Sequence, residues 1–559
     1  MSTSPEGSER PGMVGWYDPA QLFRTGVQTI LTEVFATRAD FRLLMALAGP
    51  QAVLDLSAHD ALTIDYVSDT GDGWRPTVTV FEALARPSLC GPSGEEIARG
   101  ELLILGGDEV YPAGSVAAYE SRLVAPMRAA SEGREGRAML LALPGNHDWY
   151  DGLVGFVSTF TQKAPLGLWH CFQQRSYHCI KLPHRHWLLA VDLQLQCDID
   201  VPQQQWFESS LKDLGEGDAV IVCLAEPTWV FRQQYRKDHG PHLRALLRWV
   251  TEQRRARVVL SLAGDLHHYR RMERRNEGGG HFITAGGGGA FLHPTHTPSV
   301  ARLTDGREGE TRRYQLHHEY PSRAASERLA ARNFLFPLTN PQFGLATAGV
   351  YTVLSWLLPK PDVAVLSQGV MATLRRGLEQ AATQPSAFVV VGSVLAGVVF
   401  FTDSNRRSFK VLGGLTHGAL HLIAALFASG LGISFSQKMG WVGESHIIAQ
   451  RFAMLVSSAV FGYLLGGLIM GLYLFVSVRV FRRHANEAFS SLKIEGYKNF
   501  LRLKIDEKGL KLWAFAIDAM PALDAAGLPE GAGRRSETEP KVIDTLAIAG
   551  PVAAAPGQP

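Results

Sequence analysis

Leu102-Leu103-Ile104-Leu105-Gly106-Gly107-Asp108-Glu109-Val110-Tyr111 and, further on, Leu141-Ala142-Leu143-Pro144-Gly145-Asn146-His147-Asp148 are apolar runs that end in Gly or Pro beside ligand-bearing residues. Three more segments repeat the pattern: Ile64 to Asp72, Val220 to Pro227, and Val258 to Tyr269. Runs of this length bounded by Gly or Pro read as buried strands. Polar groups gathered at the carboxyl ends of such strands mark where open sheets bind ligands. The donors are those of a two-metal hydrolase, in which two cations about 3.5–4 Å apart neutralise a phosphate ester and generate a bound hydroxide at neutral pH.

In order and spacing the five segments resemble the calcineurin-like metallophosphoesterases, whose pattern runs D-x-H or D-x-G, G-D-x-x-Y/D, G-N-H-D/E, a His before Pro, and G-H-x-H. Gly107-Asp108-x-x-Tyr111 and Gly145-Asn146-His147-Asp148 are its most specific parts. The resemblance covers roughly residues 60 to 295. It implies an α/β fold, a β-sandwich flanked by helices in four layers, that hydrolyses a phosphomonoester or phosphodiester with metal-bound hydroxide. By the family pattern Asp108 reaches both metals and Asn146 offers an amide oxygen to the second. His147 gives a proton to the leaving oxygen, and Asp148 orients the imidazole.

The chain departs from the commonest pattern at three places. Asp69-Thr70-Gly71 has Gly where many members place a His, a form that resembles the purple-acid-phosphatase branch. There Tyr111 would compensate as a phenolate on trivalent iron, although it reads equally as a packing residue. Asp72, one step beyond, is an alternative to the preferred Asp69. Glu226 stands where the family has His before Pro, and Asp265 replaces the first His of G-H-x-H, while His267 keeps its place. Both replacements exchange nitrogen for oxygen, which favours Mn, Mg or Fe over Zn for the two divalent or mixed-valence ions. Both also keep a donor atom, unlike a decayed site. His268 is extra and reads as a substrate contact or as a hydrogen-bond partner of a ligand, not as a ligand itself. In the loop Thr284 to His296, Gly287 and Gly288 are expected to present N–H groups to phosphate. The G-x-x-x-x-G-K-S/T pattern of nucleotide triphosphate sites is absent from it.

At 559 residues the chain is too long for one core. Lys+Arg 55 against Asp+Glu 53 gives no bulk charge that would call for nucleic acid. Five cysteines without C-x-x-C spacing read as reduced thiols. The first forty residues hold no apolar stretch of the signal-peptide kind, so the phosphoesterase half is expected in the cytoplasm. Four apolar segments follow, at about 343–358, 387–401, 411–435 and 452–478. The last two have spanning length, and the first two read as short spans or buried helices. Arg and Lys before the first segment, between the second and third, and after the last suit an even number of spans with both flanks inside.

The expected order is an N-terminal segment 1–40, partly disordered, and a phosphoesterase domain 41–300. A basic linker 301–340, a transmembrane helical domain 341–481 of about four spans, a small cytoplasmic β-hairpin domain 482–527 and a disordered tail 528–559 complete it. Gly462, Gly466, Gly467 and Gly471 read as helix-packing positions. His417 and His421 share a helix face and read as an interhelical contact. The function expected is a membrane-anchored, metal-dependent phosphoesterase acting on a phosphoester, attractively a lipid-linked one because the spans hold its mouth near headgroups. The alternative is a non-catalytic membrane sensor or transport-associated protein. Oligomeric state is left open.

Overall fold

The computed structural model describes residues 10–35, 52–162, 164–193, 198–235, 240–274, 280–297, 300–305, 312–357, 375–376, 379, 383–402, 407–530 and 536–551. Nine strands position the site: β1 (Leu62–Val67), β2 (Leu102–Leu105), β3 (Ala138–Ala142), β4 (Ala219–Leu224), β5 (Arg257–Ala263), β6 (His281–Ala285), β7 (Lys498–Asp506), β8 (Gly509–Ile517) and β9 (Lys541–Ala549). They belong to two mixed sheets, of eight and nine strands among the described residues. The first runs β9-β8-β7-β1-β2-β3 and ends in two short strands, with β1, β2 and β3 parallel. The second has β4, β5 and β6 parallel at its centre.

Alternation explains the layers. In β1 and β2, Leu62, Ile64, Tyr66, Leu102 and Ile104 enter the core between the sheets, with Ile221, Leu260 and Ile283 of the facing sheet. Val67, Leu103 and Leu105 point the other way, into a core with the helix Trp74–Ala85. A strand covered on both faces has no polar side, so it appears in the sequence as a continuous apolar run. A third core lies outside the second sheet, around Val220, Val222, Leu243 and Leu246. The result is the four-layer sandwich with helices on both outer faces.

Three expected boundaries are corrected. The hairpin β7–β8 is formed, yet it is not a separate domain: β7 pairs antiparallel with β1, and β9 extends the sheet from within the stretch expected to be disordered. Residues 531–535 and 552–559 of that tail lie outside the described residues. The cause is buried: Arg502 sits opposite Asp65 in the β7–β1 register, giving Nε to Oδ1 at 2.6 Å and Nη2 to Oδ2 at 3.0 Å, with both residues almost wholly buried. The basic linker is structured too. Arg302–Asp305 and Arg312–Tyr320 form the outer strands of the nine-stranded sheet, where Leu303 and Tyr314 fill the core. Arg and His alternate with them on the outside, as suits an edge strand. Within the N-terminal segment, residues 10–35 are ordered, and Val14 is buried with its N–H on Asp72. Residues 1–9 and 36–40 lie outside the described residues.

The chain divides into two compact units. One holds Met1–Val14, Arg24–Ser326 and Lys493–Pro559; the other holds Gly15–Phe23 and Glu327–Leu492. The helical unit is therefore an insertion within the sandwich. Its main helices are α1 (Pro341–Leu357), α2 (Pro385–Phe401), α3 (Arg407–Lys438) and α4 (Ile447–Val476). By length and composition, Arg407–Lys438 and Glu444–Phe481 are long and apolar enough to cross a membrane. The helices α1 and α2, of 17 residues each, are shorter. On α4, Val456, Val460, Leu464, Leu468 and Leu472 form an exposed apolar stripe four residues apart. Its other side carries the glycines: a Cβ on Gly466 would lie 2.2 Å from the Thr347 Oγ1 of α1. His421 Nδ1 meets the Tyr351 hydroxyl of α1 at 2.9 Å, and its Nε2 lies 3.1 Å from His417 Nε2, an interhelical contact. Cys90, Cys171, Cys179 and Cys223 are free thiols, and Cys197 lies outside the described residues.

Candidate metal centre

The loops that follow β1 and β2 run side by side: Asp69 N–H donates to the Gly107 carbonyl, Thr70 to Asp108 and Gly71 to Glu109, and after β5 the Asp265 N–H donates to the Asp69 carboxylate. At their turns Asp69, Asp108 and Asp265 have φ of 61°, 53° and 65°. Left-handed backbone is uncommon for a side chain other than Gly, and it clusters where surrounding structure fixes a functional group. Here it turns three carboxylates off the ends of three strands. Gly145 makes room for one of them, since a Cβ there would come 2.1 Å from Asp108 Oδ1.

Three donor atoms converge. The Tyr111 hydroxyl lies 3.0 Å from Asp69 Oδ1 and 3.0 Å from His267 Nε2, and the last two are 3.3 Å apart. His267 Nδ1 donates to the Phe291 carbonyl at 2.7 Å, which leaves Nε2 as the nitrogen with the lone pair. Ligands about 2.1 Å from one cation and at right angles to one another stand about 3.0 Å apart. The spacing of Asp69, Tyr111 and His267 is the one that ligands of a single cation would have. Asp72 does not share it, because its oxygens accept the N–H groups of Val14 and Phe291.

Electrostatics point the same way. Burial raises Asp69 to about 7, and it holds Asp108 and Asp265 well above the carboxylate range, with Asp69 adding repulsion to both. Burial also pushes His267 down to about 3 and His147 to about 4, so both imidazoles are neutral at pH 7. Several buried carboxylates beside neutral imidazoles form a site that a bound cation would stabilise.

A second metal position is less complete. Among the described residues no group of three or more His, Cys, Asp or Glu side chains is gathered as a metal would require. Asn146 Nδ2 donates to the Tyr150 hydroxyl at 2.9 Å, which fixes the amide with Oδ1 as its acceptor end. Glu226 lies close enough to Asp265 to raise it.

Two expected roles change. The group that orients His147 is the Pro112 carbonyl, which accepts from Nδ1 at 2.7 Å. Asp148 instead accepts from the N–H groups of Gly145 and Glu109 and from the Tyr119 hydroxyl, so it holds the turn together. The glycine loop is packing as much as approach: the Gly288 N–H is used on the Ser68 carbonyl, and a Cβ on Gly287 would lie 2.0 Å from Asn499 Nδ2. His268 is fully buried, beside Arg270, His293 and His267.

Glu109, inside the second motif but at none of its ligand positions, is a buried carboxyl held well above its usual range by burial and by Asp148. The carbonyls of Pro112 and Phe291 orient the two imidazoles. Backbone acceptors carry no residue-type signal, so sequence could not have found them.

Residues 62–269 match the family model described as calcineurin-like phosphoesterase. No curated protein matches the chain. Among solved structures it is similar to a purple acid phosphatase from yellow lupin seeds, at 13% identity over 47% of this chain and 48% of that one, with a TM-score of 0.31. It is also similar to GAP50, the anchor in the inner membrane complex of Plasmodium, at 11% identity over 48% and 94% with a TM-score of 0.31. PhoD is a third, at 12% identity over 44% and 59% with a TM-score of 0.28. These likenesses are remote, and the chain spans about half the length of the lupin protein.

Proposed function

We propose that the calcineurin-like domain of this chain is a metal-dependent phosphoesterase anchored to a membrane by its helical insertion. The observation that carries the chemistry is the Asp69–Tyr111–His267 triangle, whose edges of 3.0 to 3.3 Å suit one cation. Asp108, Asn146, Glu226 and Asp265 are the donors for a second. When bound, the metal ions supply charge neutralisation and activation of water. The protein's own part lies in orientation: Pro112 fixes the His147 tautomer and leaves Nε2 with its lone pair, so this nitrogen would have to accept a proton before giving one to a leaving oxygen. The test is metal content of the purified chain together with turnover of phosphomonoester and phosphodiester probes. About two equivalents with turnover supports the enzyme.

The incomplete second position favours one competing reading, a ligand-binding domain without turnover. At most one equivalent of metal and no hydrolysis would establish it. If the first position takes iron, the oxidised protein is expected to show a visible phenolate-to-metal band that disappears in Tyr111→Phe. A colourless, active manganese protein would remove the phenolate role and leave the phosphoesterase reading intact.

Membrane anchoring rests on the two long apolar helices and the exposed stripe of α4. The connection adds a constraint that charge counting does not. Tyr320, just before the insertion, and Tyr497, just after it, have rings 5.8 Å apart within the sandwich. A chain that leaves and returns at one place crosses a bilayer an even number of times. With Cys90 replaced, cysteines introduced for Ser322 and Arg482 are expected to react from one side of the membrane, the cytoplasmic one, and a cysteine for Ser445 from the other. Labelling of all three from a single side would remove the spanning model.

A further inference from the structure

The geometry points to Lys498, the first residue of β7 after the helical insertion, as a positioning residue that holds His267 in its metal-binding orientation through the glycine loop. This rests on the metal-dependent reading above. Lys498 lies far beyond the matched residues 62–269, and none of the phosphoesterase motifs includes it.

The loop from Gly286 to Thr297 is gripped from two sides. Toward the metal centre, Ala290 N–H donates to the Asp69 carbonyl at 2.9 Å, and Phe291 N–H to Asp72 Oδ2 at 3.1 Å. The Phe291 carbonyl accepts a hydrogen bond from His267 Nδ1–H. His293 N–H returns to the His267 carbonyl at 3.2 Å, and its ring stacks on that of His267 at 3.9 Å. From the other side comes the chain that re-enters the sandwich. Lys498 Nζ donates to the Ala290 carbonyl at 2.6 Å, Asn499 N–H to the Gly287 carbonyl at 2.9 Å, and Leu292 N–H reaches the Ile494 carbonyl at 3.3 Å.

Lys498 is fully buried. An ammonium group without solvent is costly unless it is hydrogen-bonded and sits in a compensating field. Its bonds are to the carbonyls of Ala290 and Gly496, and Asp72 and Glu495 supply the negative field. The short bond to Ala290 fixes the peptide that precedes Phe291, and so aims the Phe291 carbonyl at His267. A carbonyl that holds the far nitrogen of a metal-binding imidazole sets both its tautomer and its ring plane. Losing such support typically costs 10–100-fold in metal affinity. Without Lys498 the Ala290 carbonyl is buried without this donor, and the peptide before Phe291 loses the side-chain bond that fixes it.

The test compares Mn²⁺ affinity, by calorimetric titration of the metal-stripped full chain, in wild type, Lys498→Met, Lys498→Gln and Lys498→Arg, beside thermal unfolding of each metal-free protein. Lys498→Met is expected to weaken Mn²⁺ binding about 10–100-fold. Lys498→Gln, which keeps a donor and guards against a methionine variant that does not fold, should fall between Met and wild type. Lys498→Arg should recover part of the loss. Metal-free stability that falls while Mn²⁺ affinity stays at the wild-type value in Met and Gln variants would overturn the positioning role and leave a purely structural lysine. If wild type itself binds no Mn²⁺, the phosphoesterase reading fails first and takes this inference with it.

Discussion

Asp108→Asn and His147→Ala are expected to lose activity in two distinguishable ways. Asp108 is buried, accepts the His147 N–H on Oδ1 at 2.8 Å, and shares its surroundings with Asp69 and Asp265. In the proposed reading it is the one carboxylate within reach of both metal positions. The amide keeps the shape and removes the charge, so metal affinity should fall by more than the roughly 10–100-fold typical of outer partners. Turnover should fall with it, and excess metal should restore only part. His147 touches the centre differently. Its ring packs on Tyr111 at 4.3 Å, and Nδ1 is committed to Pro112. Truncation to Ala should leave the bound metal unchanged while slowing turnover about 10²–10⁴-fold, the usual worth of general acid–base catalysis. Elemental analysis and steady-state kinetics on both variants separate the outcomes. An Asp108→Asn protein with full metal content and full rate would remove the two-metal assignment.

Arg502→Ala is the substitution with the largest expected effect on folding. The guanidinium makes a two-pronged pair with Asp65 and gives Nη1 to the Ile97 carbonyl at 3.0 Å, while Asp65 also accepts the Gly100 N–H at 3.0 Å. Truncating one member of a buried pair leaves the other charge without compensation and costs about 3–5 kcal/mol. Urea unfolding of the full chain should show this as a lower midpoint with an unchanged slope. The double change Arg502→Met with Asp65→Leu should recover most of the loss, because no charge is then left buried. Equal losses in single and double variants would mean that shape, not charge, sets the register. The same pairing predicts that residues 1–300 alone do not make a soluble domain. Without β7, the edge of β1 is exposed, and all six of its residues are buried in the intact fold. Substrate screening therefore calls for the full chain.

Much of this was legible in the residues themselves. The strands β1 to β5 appear as apolar runs because both of their faces are covered, and the donors at their ends keep a fixed order along the chain. The helices of the insertion are visible for a similar reason, since their apolar length is local information. Period-two alternation also located β7 and β8, but alternation states only which side chains share a face and says nothing of which strand lies alongside. The pairing of β7 with β1 joins residues more than 400 positions apart through the buried Arg502–Asp65 contact.

The site divides along the same line. The residue types at Asp69, Asp108, Asn146, His147, Asp265 and His267 are set by the sequence, and their order suffices to suggest a metal-dependent hydrolase. Only the tertiary structure sets Asp69 and Asp72 apart, by turning Asp72 toward the backbone of Val14 and Phe291. It also gave Asp148 to the turn and left the orientation of both imidazoles to the carbonyls of Pro112 and Phe291. Which group meets which depends on where separate strand ends come to lie. That position is fixed by the packing of two sheets and by a strand that returns only after the helical insertion, neither of which any local stretch of sequence encodes.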